Sequence, residues 1–580
     1  MVSPTTPDSA SPAVSGRPNW QARGLAALLD VATASHARAA ALLVALSLAM
    51  FIPGFFQIPP VDRDEARFAQ ASKQMVESAD YVDIRFQNEV RYKKPVGIYW
   101  LQAGAVQAAS ALGIPEARGE IWIYRLPSLL GATGAVLLTY WTALAFVSRR
   151  AALLAGAMMA SCVLLGVEAR LAKTDAMLLA TTTAAFGALA RAYLAPRRTP
   201  PGVVDWSVPV IFWTALAAGT LLKGPLIFLF VGLTTLVVSI IDRSVRWLAV
   251  LRPITGLIWY LLLVLPWFVM IMGKTGSAFF QGSIGADALP KILGAQESHG
   301  APPGLYFILF WVTFWPGAVI AGLAAPTVWR ARREPGAKFL LAWLIPAWIV
   351  FELVVTKLPH YVLPVYPAIA ILIAGVLERG GLSKARWLIH GTIGWVLLPA
   401  AIAVVSIVGF VVLSRDLGFV AWPFAAGAVV MGLFAWWLYD VDGAEYAMLR
   451  AIVAAFLTVV TVYGVVLPSL PALFPSVAMT QALHDSDCDE PLVAAVGYHE
   501  PSLVFLAGTR TLLTDGAGAA DFLRQGACRF AFVEQRHERS FAQRAQAIGL
   551  RYAPLPRIEG FNISNGRRIS VSVFRTGDEP

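Results

Sequence analysis

Charged residues are scarce in this chain of 580 residues. Asp, Glu, Lys and Arg together make up 14% of it, whereas 57% of the residues are hydrophobic. A soluble domain carries roughly a quarter charged residues, so this composition indicates that most of the chain lies in a bilayer. The formal net charge of +10 does not indicate nucleic-acid binding, because the basic residues lie in short loops between apolar runs, as topology signals do.

Cysteine is rare too, and the motifs of several enzyme classes are missing. The three cysteines form no CxxC or Cys/His spacing, which excludes a recognisable structural zinc site. The sequence shows no Gly-rich nucleotide loop and no Ser/His/Asp arrangement with a recognisable spacing. Cys162 falls inside an apolar run, where it is interpreted as a small apolar filler. Carboxylates at a phosphate site could still hold a divalent metal ion, so that cofactor stays open.

Long apolar runs, in contrast, are abundant. A membrane-spanning helix needs about 20 apolar residues, and only a helix satisfies the backbone of such a long run in lipid. The sequence therefore predicts a polytopic α-helical membrane protein. Its transmembrane domain, residues 39–469, would have thirteen spans, at 39–58, 121–146, 151–167, 175–195, 207–222, 224–241, 253–272, 304–325, 338–356, 360–378, 387–413, 419–440 and 449–468.

Every second short connection between these runs is basic, as at Arg149-Arg150. Basic loops stay in the cytoplasm, so residues 1–38 form a partly disordered cytoplasmic N-terminus, followed by an uncleaved anchor. The loops on the opposite side carry mixed charges, and the longest of them, 59–120, follows the first span. We expect this face to be the catalytic one, in the periplasm of a bacterial inner membrane.

The composition becomes that of a soluble protein from about residue 470. Residues 470–580 are predicted to form a periplasmic α/β domain. The predicted strands are 491–498, 502–508, 529–534 and 569–575, and the predicted helices are 516–525 and 540–548. Cys488 and Cys528 each precede a strand. Parallel neighbouring strands would place them side by side, so they form either a disulfide in an oxidising compartment or two free thiols.

The densest group of ionisable residues lies at the start of the loop 59–120. Asp64, Glu65 and Arg67 follow the first span directly. An acidic residue there could simply favour a helix N-terminus. However, an Asp-x-Asp-Glu run beside lipid is costly to keep, which favours a functional role.

A second basic group follows in the same loop. Lys93 and Lys94 precede Pro95, and Tyr99 lies one turn further on. These residues could anchor the chain at the membrane interface. A phosphate clamp is the alternative we favour, because lysine is a compact cation and Pro95 would begin a helix that fixes the direction of Lys94.

Further polar residues lie at span ends on the same predicted face. Each could serve as a helix cap, a packing ion pair, a loop charge or an anchor. They are Arg170, Lys173 and Asp175 in the turn 168–175, Lys223, His299 in the loop 273–303, and Lys357, His360 and Tyr361.

This set of residue types suits transfer of a group from a lipid-linked phosphate. Several cations can hold a phosphate at headgroup level, and a carboxylate can deprotonate an attacking hydroxyl. The leaving lipid phosphate is a stable anion, so it needs positive charge and no general acid. An exporter or flippase of an anionic lipid-linked sugar is the alternative, but transporters place polar residues near the bilayer midplane.

Several of these segments, taken together, are similar to a known class. They are the motif 64–69 (DEARFA), Lys94-Pro95, the turn 170–175, Pro266-Trp267, the stretch 357–361 (KLPHY) and the stretch 497–508. In this order the chain resembles the GT-C class of membrane glycosyltransferases, with the lipid A aminoarabinose transferases and bacterial protein O-mannosyltransferase-like enzymes as its nearest relatives. The resemblance covers nearly the whole chain.

The resemblance implies a polyprenyl-phosphate-sugar donor and single displacement with inversion at the sugar C1. The acceptor would be lipid A or another lipopolysaccharide component, or alternatively a protein. Two departures, Lys93 in place of an acid and His360, leave the sugar and acceptor open. The predicted catalytic residues are Asp64, Glu65 and Asp175; Lys94, Lys93, Arg67, Lys223 and Lys357 would bind the donor phosphate, and Arg170, Lys173, His299, His360, Tyr361 and Tyr99 the substrates.

Overall fold

The computed structural model describes residues 20–197, 205–283 and 300–576. Apolar helices form most of this part of the chain. The helices up to the first gap are α1 (Trp20–Thr33), α2 (His36–Phe51), α3 (Asp64–Ser78), α4 (Gly97–Ala111), α5 (Ile121–Ala143), α6 (Arg149–Ser161), α7 (Val163–Ala169) and α8 (Asp175–Leu194). Between the two gaps lie α9 (Ser207–Lys223), α10 (Leu226–Asp242) and α11 (Pro253–Thr275).

The helices beyond residue 300 complete the apolar part of the chain. They are α12 (Leu305–Thr313), α13 (Gly317–Arg330), α14 (Pro335–Leu353), α15 (Tyr366–Glu378), α16 (Gly394–Ser414), α17 (Trp422–Trp437) and α18 (Ala444–Val459). A 3₁₀ segment, Pro359–Val365, leads directly into α15.

The chain is a multi-pass membrane protein. Eight of its described helices, with their flanking turns, are long and apolar enough to cross a membrane, and a ninth span results if α6 and α7 count as one. The helices α2, α9 and α10 are apolar but shorter. Each of the thirteen predicted spans overlaps one helix or two consecutive helices, so their placement agrees with the structure, while the count of thirteen stays a prediction.

Two of the predicted spans are broken at facing positions. The helices α6 and α7 are bent by 62° at Cys162, and α12 and α13 are separated by residues 314–316. The Cys162 thiol donates to the Thr313 carbonyl at 3.1 Å, and the Val163 amide donates to the Trp315 carbonyl at 3.3 Å. Cys162 is thus more than a filler, because it joins the two breaks. The bend directs the short helix α7 into the turn 170–174.

The loop 59–120 is folded around its own apolar core. It contains α3, a hairpin of β1 (Arg85–Phe86) and β2 (Glu89–Val90), and α4. Phe68 and Met75 on α3 are buried against Tyr99 on α4. This packing fixes α3, whose first residue is Asp64, against the helices of the membrane domain.

The segment after residue 470 contains a five-stranded sheet in the order β4-β3-β5-β7-β6. Its strands β3, β4 and β5 are parallel, while β7 is antiparallel to both β5 and β6. The bounds are β3 (Leu492–Val496), β4 (Leu512–Thr514), β5 (Arg529–Glu534), β6 (Tyr552–Asn562) and β7 (Arg567–Thr576), with helices α19 (Pro475–His484), α20 (Pro501–Ala507), α21 (Gly516–Leu523) and α22 (Glu538–Ala547). We refer to residues 471–576 as the C-terminal domain.

Most of the predicted elements of this domain are present, with one error. The stretch 502–508 was predicted to be a strand, but it lies in α20. Pro501 at the first helical position favours the helix. A short apolar run cannot be distinguished from a buried helix by its periodicity. Strands β4 and β6 were not predicted, and β6 is an edge strand with many exposed residues.

Of the two alternatives for Cys488 and Cys528, the structure has the disulfide. Strands β3 and β5 are parallel neighbours, with Leu492 opposite Arg529. Cys488 and Cys528, just before these strands, form a disulfide with a Cα–Cα distance of 5.7 Å. The disulfide ties together the entry points of both strands.

Candidate active site

Five ionisable side chains, three of them buried and two partly buried, meet where α7, α8, α9 and the segment 359–365 approach one another. The Lys173 ammonium lies 3.1 Å from Glu168 and 3.9 Å from the Asp175 Oδ2 atom. Lys223 donates a hydrogen bond to Asp175 from the other side. The His360 ring lies between the acids, with Nδ1 3.7 Å from Glu168 and Nε2 3.7 Å from Asp175. We call these five residues the buried charge cluster.

The buried charge cluster balances its own charge. Burial alone would lower the pKa of Lys173, but the carboxylates of Glu168 and Asp175 outweigh it and hold that pKa above its ordinary value. Two ammonium groups therefore face two carboxylates. Tyr361 closes one side, since its ring centroid lies 5.8 Å from the Lys223 ammonium. The predicted site residues Lys173, Asp175, Lys223, His360 and Tyr361 are thus brought together.

Asp64 is the carboxylate next to this cluster that is left available. It is the first residue of α3 and is exposed. Within the described ranges its side chain forms no hydrogen bond and no ion pair, yet its charge acts on Lys173. Asp64 is therefore the carboxylate beside the cluster that a substrate can reach.

Glu65, the neighbouring acid, has a different environment. Its Oε1 accepts hydrogen bonds from Arg125 Nε at 2.7 Å and from the Ala172 amide at 2.9 Å. Its Oε2 accepts from Arg125 Nη2 at 2.9 Å and from the Val61 amide at 2.8 Å. Both oxygens are used, and the side chain is buried. This geometry assigns Glu65 to positioning the turn 170–174 against α3, in contrast to the predicted catalytic role.

Arg170 is also used by the fold. Its guanidinium donates to the Pro53 carbonyl at 2.8 Å and to the carbonyls of Met50 and Gly166, and it lies 4.2 Å from the centroid of the Tyr463 ring. The group is buried with these contacts. Arg170 therefore holds the end of α2 against the turn 170–174, in contrast to the predicted contact with substrate.

The predicted phosphate-binding residues have unequal positions. Lys94 is half-buried and its charge acts on His360, whereas Lys93 is exposed. Arg67, one turn into α3, is half-buried. Lys357 is buried and donates to the Val354 carbonyl of its own segment. Lys94 is thus the cation of the loop 59–120 that is linked to the cluster.

Two predicted substrate contacts remain. Tyr99 is buried in the core of the loop 59–120, with its ring centroid 5.4 Å from that of Phe68. Tyr99 therefore packs against α3, in contrast to the predicted contact with substrate. His299 lies outside the described residues.

Two residues of the site were not selected from the sequence. Arg125 lies inside the apolar run 121–146, and a charged residue within a span is itself a functional signal. Glu168 also lies in the turn 168–175, where the sequence alone predicts no role for it. The partners of both could not be inferred, because they are distant in the sequence or depend on the bend at Cys162.

Comparisons with known proteins agree with this architecture. The family model described as dolichyl-phosphate-mannose-protein mannosyltransferase matches residues 41–275. A curated relative from Pseudomonas paraeruginosa, named undecaprenyl phosphate-alpha-4-amino-4-deoxy-L-arabinose arabinosyl transferase, is 25% identical over 82% of each chain. A relative of the same name from Erwinia tasmaniensis is 26% identical, over 59% of this chain and 61% of its own length.

A solved structure has the same fold. The crystal structure of ArnT from Cupriavidus metallidurans bound to undecaprenyl phosphate matches with a TM-score of 0.69 at 19% sequence identity. The match covers 92% of this chain and 97% of that chain, so it includes both the membrane helices and the C-terminal domain. The family model, the curated relatives and the fold together make the chain similar to the GT-C class of polyprenyl-phosphate-sugar-dependent membrane glycosyltransferases.

Proposed function

We propose that this chain transfers a sugar from an undecaprenyl-phosphate-type donor to lipid A or another lipopolysaccharide component. The curated relatives carry the name of an undecaprenyl-phosphate arabinosyl transferase, and the matching crystal structure holds undecaprenyl phosphate. Both support a lipid-phosphate donor for this chain. The observation that carries the proposal is the exposed Asp64, which has no ion-pair partner among the described residues and lies next to a buried cluster that already balances its own charge.

The proposed reaction is a single displacement. An acceptor oxygen forms a bond to the sugar C1 while the bond from C1 to the lipid-phosphate oxygen breaks, and the phosphate leaves with the electron pair. For a hydroxyl acceptor, Asp64 takes the proton as general base. A lipid A phosphate is already an anionic nucleophile, and Asp64 would then orient it. Attack opposite the leaving group inverts the configuration at C1.

The leaving phosphate needs positive charge. Lys94 supplies it in this proposal, because it is half-buried and linked electrostatically to His360. A lysine that is partly removed from water interacts more strongly with an anion than an exposed one does. Lys93 and Arg67 add positive charge on the same loop. Lys223 contributes less, since its ammonium is already hydrogen-bonded to Asp175.

A divalent metal ion fits the cluster poorly. Glu168, Asp175 and His360 offer ligand atoms within 4.8 Å of one another, which is a plausible spacing for a metal site. However, the ammonium groups of Lys173 and Lys223 already contact both carboxylates. A dication would have to displace these cations or lie beside them. We therefore propose that transfer uses the cluster as a preformed ion-pair network without a metal.

The site is proposed to face the periplasm of the inner membrane. The mixed-charge loops and the C-terminal domain contribute to one side of the molecule in this topology. The Cys488–Cys528 disulfide supports an oxidising compartment for that side.

A protein acceptor is the second candidate, because the matching family model is described as a protein mannosyltransferase. Mass spectrometry of lipid A and core oligosaccharide from cells with and without the gene separates the two acceptors. We expect loss of a pentose- or hexose-type substituent, restored by the wild-type gene. Unchanged lipopolysaccharide together with loss of a glycoprotein would support the protein acceptor, and no change in either would overturn the proposal.

A further inference from the structure

The C-terminal domain holds the two residues that precede Asp64. The Ser502 amide donates to Asp62 Oδ1 at 3.0 Å, and the Tyr498 hydroxyl donates to Asp62 Oδ2 at 3.4 Å. The Arg63 guanidinium donates to the Ser564 carbonyl at 2.5 Å. These partners lie more than 430 residues away in the sequence, and all belong to the C-terminal domain.

The backbone at Arg63 is strained. Arg63 has φ 66° and ψ −106°, and no side chain caps the first turn of α3. A residue other than glycine in such a conformation costs on the order of 1–3 kcal/mol and persists only where its surroundings enforce it. Asp62 directly precedes the strained residue, and the contact to Ser564 is made by the side chain of the strained residue itself. The contacts of Asp62 and Arg63 are therefore suited to enforce the turn that presents Asp64.

The donors to Asp62 are themselves fixed. Ser476 on α19 is hydrogen-bonded to Tyr498 at 2.9 Å and to the Ser502 hydroxyl at 2.6 Å, and all three side chains are buried. Burial raises the pKa of Asp62 to about 6, with the charge of Glu500 acting in the same direction. A carboxylate kept in such a place needs these hydrogen bonds.

Other contacts join the C-terminal domain to α3 further along the helix. Gln70 donates to Thr509 at 2.7 Å, and Thr509 donates to Glu77 at 2.8 Å. Lys73 donates to the Phe505 carbonyl at 2.9 Å. These contacts hold the helix but not the turn before it. Their removal therefore tests the docking of the C-terminal domain on α3 separately from its effect on the turn before Asp64.

We propose that the C-terminal domain is a positioning element of the active site, which fixes the direction of Asp64 through Asp62 and Arg63. This inference rests on the proposed function, in which Asp64 acts on the acceptor. Asp62 and Arg63 are positioning residues, since they act through Asp64. Without their contacts the strained turn relaxes and the Asp64 carboxylate loses its fixed orientation. The binding of the lipid phosphate at Lys94 is unaffected.

The experiment compares the wild-type chain with three variants, each of which carries a single substitution. Asp62→Ala removes both acceptor oxygens, whereas Asp62→Asn keeps an oxygen that can accept from the Ser502 amide. Thr509→Val removes a docking contact far from the turn. The readouts are lipid A substitution per amount of protein in complemented cells, affinity of the purified protein for undecaprenyl phosphate, and hydrogen exchange of the amides of residues 63–67.

For Asp62→Ala we expect at least a tenfold loss of lipid A modification, because displacement of a reacting group such as the Asp64 carboxylate by about 1 Å can lower the rate a hundredfold. Its affinity for undecaprenyl phosphate should stay within twofold of the wild type, and its exchange at 63–67 should become faster. Asp62→Asn should recover most of the activity, and Thr509→Val should match the wild type.

A wild-type level of lipid A modification in Asp62→Ala would overturn the inference. An equal loss of lipid A modification in Thr509→Val would overturn it too. If Asp62→Ala does not accumulate, Tyr498→Phe replaces it; we expect a twofold to fivefold loss from this milder change, and no loss would contradict the inference. Failure of the proposed function is distinguishable, because the wild type would then leave lipid A unmodified. Hydrogen exchange tests the positioning role even in that case. Unchanged exchange of the amides of residues 63–67 in Asp62→Ala would contradict this role.

Discussion

Arg125 and Glu65 form a buried two-point ion pair, with Nε–Oε1 at 2.7 Å and Nη2–Oε2 at 2.9 Å, and each side chain is 1% exposed. The remaining guanidinium hydrogens are donated to the carbonyls of Phe55, Ile58 and Pro59. One arginine of α5 thereby fixes the end of the first apolar segment and the start of α3. The pair holds the first turn of α3, to which the neighbouring Asp64 also belongs.

The first prediction concerns the stability of this pair. Arg125→Met leaves the Glu65 carboxylate buried without its partner, and breaking a buried pair in this way costs about 3–5 kcal/mol. We expect a lower unfolding temperature in detergent and poor accumulation in membranes. Arg67→Met, at a half-buried position on the same loop, is the matched control and should change stability little. A wild-type unfolding temperature for Arg125→Met would contradict this assignment.

The second prediction concerns Asp64 as the general base. Asp64→Asn should lower sugar transfer by about a hundredfold or more, the range for loss of a general base. The protein should accumulate and unfold like the wild type, because Asp64 is exposed and unpaired among the described residues. Transfer assays and thermal unfolding on the same preparation check both points. Intact transfer would remove Asp64 from the mechanism.

The third prediction concerns the phosphate clamp. Lys94→Ala should weaken binding of undecaprenyl phosphate by about tenfold or more, since a hydrogen bond to a charged group is worth about 1.5–3 kcal/mol. Lys94→Arg should keep most of the affinity. Lys93→Ala should have a smaller effect, because Lys93 is exposed. Equal affinities for the wild type and Lys94→Ala would rule out the clamp.

The fourth prediction is that chelation leaves transfer unchanged. Lys173 and Lys223 already neutralise Glu168 and Asp175, so EDTA should reduce the rate by no more than about twofold at constant ionic strength. Addition of Mg²⁺, Mn²⁺ or Zn²⁺ after chelation should give no gain. A loss of activity that one of these ions restores would show that the cluster holds a metal.

The fifth prediction follows from the raised pKa of Asp62. The folded protein holds this proton up to about pH 6, whereas an unfolded aspartate loses it near pH 4. The stabilisation is therefore complete below about pH 4 and is lost as the pH rises through 6, on the order of 3 kcal/mol in total. Asp62→Asn removes this titration.

Thermal unfolding of both proteins at pH 5 and pH 7.5 measures the effect. The wild type should lose more stability than Asp62→Asn between these two values. Parallel pH dependence of the two unfolding temperatures would mean that Asp62 does not titrate as described.

The sequence predicted the membrane architecture and most members of the site. Apolar runs of about 20 residues identify spans without knowledge of their neighbours. Four of the five residues of the buried charge cluster, all except Glu168, were recognisable because ionisable groups beside lipid are costly. The strands at Leu492–Val496 and Arg529–Glu534 are recognisable as short apolar runs. Each of them follows a cysteine, Cys488 or Cys528.

The division of roles within the site was not predictable. Asp64 and Glu65 are adjacent and chemically alike, and only the position of Arg125, 60 residues further on, makes one of them structural. The same holds for Arg170, whose partners Pro53 and Tyr463 come from the two ends of the membrane domain. Long-range partners of this kind leave no local pattern. The helix Pro501–Ala507 was missed because its burial against α3 overrides a strand-like composition.

The disulfide between Cys488 and Cys528 closes a loop of 40 residues that contains β3, α20, β4 and α21. Closing a loop of this size restricts the unfolded chain by about 4 kcal/mol. The segment carries Tyr498 and Ser502, the two residues that hold Asp62. Reduction of this one covalent bond would therefore loosen the support of the turn that precedes Asp64. Formation of the disulfide is in this way coupled to the geometry of a turn that is more than 400 residues away in the sequence.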